Sequence, residues 1–574
     1  MRFARARVSL GALLVMVSRP ALAQDSLALP VPCAGQPISQ VVVHTLPPYY
    51  DGPLRRWPAL DRVVEELHAT TKPQIVRRFI LLDPGDRCDE ARRAESERIL
   101  RVQPYLASAR VTPYPDGQGG VVLQVTTVDE VSTTIGAGVR SSAPYLSSAK
   151  LGEQNAGGNA VYVAAGWKEG FYYRDEFSGR LTDYQCLGRP YQLSVDGTRR
   201  QLGGDWAAAA SHPFYTDFQR IAWSATQGES RNYFPFQRST ADEPSLTVFR
   251  TYRDVGGVVR IGAPGRLSLF GASLSKETED PGLAPVLVTS EGVVADTSSP
   301  LINRYVPHRA ARANLLWGVR DVHFLQVTGF DALTATQDVR RGFELGTVFG
   351  RSLAILGSRD DDIFLSSDLY GGFGTPHTFV AFEALGEGRQ SYDDNDWDGV
   401  LTSGRLAMYL KPTWNHTLIT SVEWGAGFHE RVPFQLTLAD ETGGVRGFER
   451  SREGGGQRLV ARIEDHLLFG QFMDLADYGL AVFTDAGKLW AGDVPYGVTT
   501  PVRVGAGIGI LAAVPPHSKR LWRLDLDVPV NPDHYAGIEL RLTNSDQTRI
   551  FWQEPYDLAR VRERSVPRSV FQWP

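Results

Sequence analysis

Within the glycine-rich stretch GGVRGFERSREGGG, Gly443 to Gly456, Arg446 is held between Val445, Gly447 and Phe448. Two later segments carry acids that could answer it. In QRLVARIEDH, a strand would place Arg462, Glu464 and His466 on one face and Leu459, Ala461 and Ile463 on the other. YGLAVFTDAG then brings Asp485 to the end of the next strand. A weakly hydrated guanidinium facing such carboxylates forms charge-assisted hydrogen bonds and can fork over a carboxylate with two of them. That is the chemistry of a lock, with no bond made or broken. The flanking glycines let the backbone turn sharply and come close to a wall.

Other candidates carry less. DNDWDG supplies Asp394, Asp396, Asp398 and Gly399, the first half of an EF-hand-type calcium loop, but its twelfth position is Arg405 where glutamate is required. A solvated acidic loop tip explains it better. GAGIG, Gly505 to Gly509, has no helix after it, and its glycines alternate with Val504, Ala506 and Ile508, so they read as small inward residues of a strand. His466 next to Glu464 reads as wall packing. The chain has no G-x-S-x-G and no H-E-x-x-H, and the expectation is of a protein that is not an enzyme and has no cofactor. Of the three cysteines, Cys33 and Cys88 could bridge; unpaired structural thiols are the alternative.

What positions these residues follows from the chain as a whole. The start is basic (Arg2, Arg5, Arg7), then apolar from Val8 to Val17, then Ala21-Leu22-Ala23. That is a secretory signal over residues 1–23, with an A-x-A site before Gln24. Its removal takes away four arginines and no acid, so a net charge of −5 becomes −9, which argues against a nucleic-acid partner. No segment is apolar for the roughly 18 residues a membrane helix needs. Among exported chains, 57 glycines, 10% aromatics and 42% hydrophobic residues in short pieces favour a β-barrel.

Residues 33–130 read as a small α+β unit in the order β-α-α-β-β. A β-branched run covers Ile38 to Thr45, and Thr71-Lys72-Pro73-Gln74 looks like a capping box before a helix that Gly85 would stop. A second helix spans Asp89 to about Gln103, and strands Leu106–Thr112 and Val121–Val128 close the unit. From Val131 the period becomes two. Leu315, Trp317 and Val319 alternate with Asn314 and Arg320, Leu524, Leu526 and Val528 with Asp525 and Asp527, and Ile538, Leu540 and Leu542 with Glu539 and Arg541. A soluble sandwich would alternate as well. Aromatic residues near strand ends, short turns such as PTWNHT exchanging with long loops such as GEGRQSYDDNDWDG, and the lack of any covering helix favour a membrane barrel. At roughly 25–28 residues per strand and connection, residues 131–553 predict about 16 antiparallel strands. The last would run from Ile538 to Trp552. An arginine-rich tail, 554–574, would then either lie in the periplasm or contribute RSVFQW as the true last strand.

TTKPQIVRRFILLDPGD leading into AESERILRVQPYLASARV resembles a polypeptide-transport-associated (POTRA) domain. GGVRGF, ARIEDH, FTDAG, VGAGIGI and RLDLDVPV, in that order, resemble the C-terminal half of the barrel in the BamA, TamA and two-partner-secretion transporter superfamily. The resemblance implies that Val445, Arg446, Gly447 and Phe448 form the motif of a loop that enters the barrel, with Asp485 and Glu464 as inner-wall partners of the arginine. It implies an outer-membrane location with the POTRA-like domain in the periplasm, and a role in inserting or translocating other polypeptides. The partners would be unfolded or secreted clients, outer-membrane lipids and accessory periplasmic proteins. The alternative is a passive outer-membrane pore or surface protein that handles no client. Members often carry two to five POTRA domains, whereas one copy is readable here.

Overall fold

The computed structural model describes residues 29–49, 68–140, 145–169, 175–238, 243–289, 292–296, 300–392, 396–449, 451–532, 536–546 and 551–562. Residues 1–23, read above as an export signal, lie outside them.

The first unit runs β1 (Ile38–Leu46), α1 (Pro73–Arg77), α2 (Glu90–Arg101), β2 (Leu106–Pro115) and β3 (Val121–Asp129). Its sheet has the order β1-β3-β2, with β1 parallel and β2 antiparallel to β3. Alternate residues Val121, Leu123 and Val125 of β3 are buried against Ile75, Val76 and Phe79 from α1 and its exit, and against Ile99 and Leu100 from α2. Asp89 caps α2, accepting from Arg92 N at 2.9 Å. The capping box expected at Thr71 does not form. The N-cap is Lys72 without a side-chain bond, and Pro73 opens the helix with a preset φ. Thr71 gives its N–H and hydroxyl to Asp129 instead, at 2.7 and 2.8 Å. A buried carboxylate needs donors more than an exposed helix end does, and α1 stops at Arg77.

The remaining strands form a closed barrel. Six short strands come first: β4 (Thr133–Arg140), β5 (Tyr145–Glu153), β6 (Val161–Lys168), β7 (Glu176–Cys186), β8 (Tyr191–Arg200) and β9 (Gly203–His212). Longer ones follow in β10 (Ile221–Pro235), β11 (Pro244–Ala263) and β12 (Arg266–Pro281). A small loop hairpin of β13 (Val286–Thr289) and β14 (Gly292–Ala295) precedes β15 (His308–Thr328) and β16 (Thr336–Ser352). Next come β17 (Asp362–Gly374), β18 (Thr378–Ser391), β19 (Trp397–Thr413) and β20 (His416–Phe428). A long loop holds the two-residue strands β21 (Leu436–Thr437) and β22 (Gly454–Gly455). The wall then resumes with β23 (Gln457–Phe472), β24 (Ala476–Trp490), β25 (Arg503–Ala513), β26 (Arg520–Pro529) and β27 (Glu539–Asp546), which lies beside β4.

Among the described residues the wall has 20 strands, not the expected 16. Composition gives an average length per strand, but β4 to β9 fit within Thr133–His212, at roughly half the assumed spacing. Of the final strand expected over Ile538–Trp552, Glu539–Asp546 form β27, while Phe551–Arg562 lie off the wall and carry the short helix α3 (Tyr556–Ala559); RSVFQW lies outside the described residues. The period-two pattern sorts the two faces. Leu315 and Ile508 point outward, 66% and 51% exposed, while Arg312, Asn314, Arg320, Asp525 and Asp527 are buried on the inner side. Short turns lie at one end, as between Gly374 and Thr378 or Thr413 and His416; the loops 282–307 and 429–456 lie at the other.

The small unit sits on the short-turn rim. Arg101 pairs with Asp338 at 2.8 Å, and Arg98 lies over the Phe324 ring at 4.2 Å. Glu130 accepts from Ser518 Oγ at 2.7 Å and Lys519 N at 3.0 Å; burial pushes its carboxyl pKa up against the pull of Arg520. Asn155, after β5, donates to Thr71 Oγ1 and Gln185, at the end of β7, donates to the Ile75 carbonyl.

Candidate functional site

The loop 429–456 folds inward from the long-loop end. Period-two apolar residues Val432, Phe434, Leu436 and Leu438 turn towards Val445 and Phe448, and all six are buried with Val460 and Leu489 of the wall. An apolar core therefore stands inside a polar lumen. Two left-handed turns make the loop reverse, at Gly443 (φ +87°) and Gly447 (φ +86°). A Cβ on Gly443 would lie 2.6 Å from Pro555, and one on Gly444 would lie 2.1 Å from the Leu438 carbonyl.

This turn delivers Arg446 to the inner faces of β23 and β24. Its Nε donates to Asp485 Oδ2 and its Nη2 to Asp485 Oδ1, both at 2.7 Å, and Nη1 donates to Glu464 Oε2 at 2.8 Å. The guanidinium carbon also lies over the Phe483 ring, 3.6 Å from its centroid. Arg446 and Asp485 are both buried. Arg446, Glu464 and Asp485, from the loop and two successive strands, thus share one ion-pair cluster, with Asp485 taking the bidentate fork. A lysine could not make it, since an ammonium has no planar pair of donors.

Further charges extend the cluster in ways that the motif did not suggest. Arg523 and His466 both reach Glu464, and Arg523 Nε donates to Asp525 at 2.7 Å. Arg462 Nη2 donates to the Gly444 carbonyl at 2.7 Å and Arg462 Nη1 pairs with Glu423 at 2.8 Å. Arg541 Nη2 donates to Asp525 at 3.1 Å, and its Nη1 pairs with Asp440 in the loop. Inward position on successive strands was the available signal for all of them. Glycines of the wall make the space. A Cβ on Gly505 would stand 2.1 Å from the Arg446 carbonyl, and one on Gly487 would stand 2.4 Å from Val445. Of the GAGIG run, Gly505 meets the loop, while Gly507 and Gly509 make room for Phe483 and Asp525 of the wall.

The other candidates fall elsewhere. Cys33 and Cys88 are bridged, with Cα atoms 5.0 Å apart across 55 residues, and the half-buried Cys186 is free. Asp394 lies outside the described residues. Asp396 accepts from Ser391 N through its carbonyl at 3.1 Å, and Asp398 faces Arg431 at 3.8 Å. Among the described residues no group of three or more acids, histidines or cysteines could hold a metal ion. In the small unit, the outer edge of β2 is already engaged. Val31 N donates to Pro113 O at 3.0 Å, Arg93 Nη1 donates to Val111 O at 2.8 Å, Val111 N donates to Glu97 at 3.1 Å, and Lys519 Nζ donates to Leu106 O at 3.2 Å.

No family model matches the sequence, and no curated protein sequence matches it. Solved structures do. The chain is similar to CdiB from Escherichia coli at 14% identity, over 88% of this chain and 76% of that one, with a TM-score of 0.44. It is similar to CdiB from Acinetobacter baumannii at 9% identity, over 89% and 73%, with a TM-score of 0.39. It is also similar to BamA from Haemophilus ducreyi lacking POTRA domains 1–3, at 11% identity over 89% and 84%, with a TM-score of 0.35.

Proposed function

We propose that this chain is an outer-membrane barrel whose periplasmic POTRA-like domain receives unfolded polypeptides for insertion or translocation. The observation that carries the reading is the sorting of the closed wall, with large apolar side chains such as Leu315, Ile463 and Ile508 exposed outside and charge enclosed within. A continuous exposed apolar surface marks a partner, and a closed sheet leaves no edge for lipid to strand unsatisfied. The short-turn rim, where the small domain sits, would face the periplasm, and the loops 282–307 and 429–456 the outside.

A client would add as an extended strand, with its main chain providing the hydrogen bonds. Because β2 is occupied along its edge, addition falls to β1, Ile38–Leu46. The Arg446–Asp485–Glu464 cluster has no chemical step to perform; it holds the loop inside the barrel. Photocrosslinking in cells from Val42 on β1, compared with Arg110 on β2, tests the proposal. The expected result is polypeptide adducts from Val42 with few from Arg110. A folded barrel that conducts ions in liposomes yet gives no adduct from β1 would instead be a passive pore.

A further inference from the structure

Beyond β27, residues Phe551–Arg562 lie against the inner wall of the barrel. Phe551 packs edge-on against Tyr370 of β17, and its carbonyl accepts from Arg405 of β19 at 2.6 Å. Glu554 accepts from Ser403 Oγ at 2.5 Å, one step nearer the long-loop end of β19. Asp557 takes a fork from Arg458 at the start of β23, at 2.6 and 3.2 Å. Arg560 then lies 3.9 Å from the Phe234 centroid at the loop end of β10. The segment climbs from the short-turn side towards the long loops and touches both the β17–β23 wall and the β10–β11 wall.

Its fixation is specific. Arg250 of β11 donates to the carbonyls of Arg560 and Arg562, each at 2.8 Å, reading main chain rather than side chain. Leu558 and Val561 complete the same buried core as Phe434, Val445 and Phe448 of the inward loop. Two glycines leave the room: a Cβ on Gly425 would be 2.7 Å from Leu558, and one on Gly443 would be 2.6 Å from Pro555. A cavity of about 270 Å³ ends against Tyr556, Arg560 and Val561, between them and Arg200, Asn232 and Phe234. A track that offers arginines to peptide carbonyls and one acid, and a niche to one leucine, is a peptide-binding track.

We infer that Phe551–Arg562 is a resident stopper. It fills, from within its own chain, a peptide-binding track across the lumen, and has to leave before another polypeptide can use that track. The inference rests on the reading of the barrel as a membrane conduit. A client occupying the same place would present backbone carbonyls to Arg250 and Arg405, a carboxylate to Arg458 and a branched apolar side chain to Gly425.

The test is conductance in planar phosphatidylcholine–phosphatidylglycerol bilayers. The full chain is compared with one ending at Asp546 and with the full-length double variant Asp557→Ala, Leu558→Ser, after heat-modified gel mobility has shown each barrel folded. Both variants are expected to conduct several-fold more than the full chain. A synthetic peptide spanning 551–562 should return the truncated barrel to the low level, whereas a scrambled peptide should not. Folded variants with the conductance of the parent overturn the stopper. Should the truncated chain not fold, the double variant decides alone. A parent chain that never enters the bilayer would overturn the membrane reading instead, so the two failures are distinct.

Discussion

Replacing Arg446 by alanine would strand Asp485 and Glu464 inside the lumen with fewer cations than they need. Breaking a buried ion pair from one side costs about 3–5 kcal/mol, because the remaining charge stays desolvated. Arg446→Ala is therefore expected to lower the melting temperature of the barrel in detergent, followed by circular dichroism and by heat-modified gel mobility. Arg446→Lys should fall between, keeping charge while losing the fork over Asp485. An unchanged melting point in Arg446→Ala would remove the structural role of the lock. The opposite side of the contact gives an independent check. Gly505→Ala would put a methyl 2.1 Å from a backbone carbonyl, which has no flexible end to yield. The loop has to shift, at a cost of about 1–3 kcal/mol, and the same melts should record it. At this scale the sequence was informative. Arg446 and Asp485 were legible because each stands among small residues in an otherwise alternating strand or turn. Arg523, Arg462 and Arg541 were not, since an inward arginine looks the same whatever it meets.

Among the elements, the small domain depends on a staple as well as a core. The Cys33–Cys88 bridge ties the segment before β1 to the one before α2. Cys33→Ser with Cys88→Ser is expected to destabilise that domain by about 2–4 kcal/mol. Limited proteolysis should then cut within residues 29–130 while the barrel keeps its heat-modified mobility. Equal protease resistance of the two forms would show the bridge to be dispensable. The elements were read with uneven success for a physical reason. Strands β2 and β3 and helix α2 announce themselves by local periodicity and by Asp89 at the cap. The false capping box at Thr71 failed because a side chain with two possible acceptor or donor roles goes to the more buried one, and burial is not a local property. The C-terminal segment shows the same limit. Leu558 and Val561 are as apolar as any outward-facing residue of the wall, and only packing reveals that they face an internal core.

For the whole molecule, the apolar exterior makes a claim about solvent. Ile508 stands outward midway along β25. Ile508→Arg is expected to destabilise the barrel in liposomes by about 2–4 kcal/mol, the cost of a cation near the bilayer midplane. Reversible unfolding by guanidinium in vesicles measures it. Stability equal to the parent's would mean that this face does not meet lipid. The interior makes the complementary claim: a 20-stranded wall encloses a wide polar space, and this chain fills much of it with its own loop 429–456 and its own C-terminal segment.

Alternation of apolar and charged residues, carried by covalent order alone, determined that a two-faced antiparallel sheet would form, which residues would face in, and where a β-α-α-β-β unit would precede it. The glycines and the arginine of GGVRGF likewise pointed to a tight inward turn that needs an acid. Strand number, the partners beyond Asp485 and Glu464, and the path of Phe551–Arg562 were decided only in three dimensions. The reason is common to all three. Period and composition record which face of an element is dry, whereas closure and the filling of a lumen depend on contacts between residues hundreds of positions apart, such as Arg250 with Arg562.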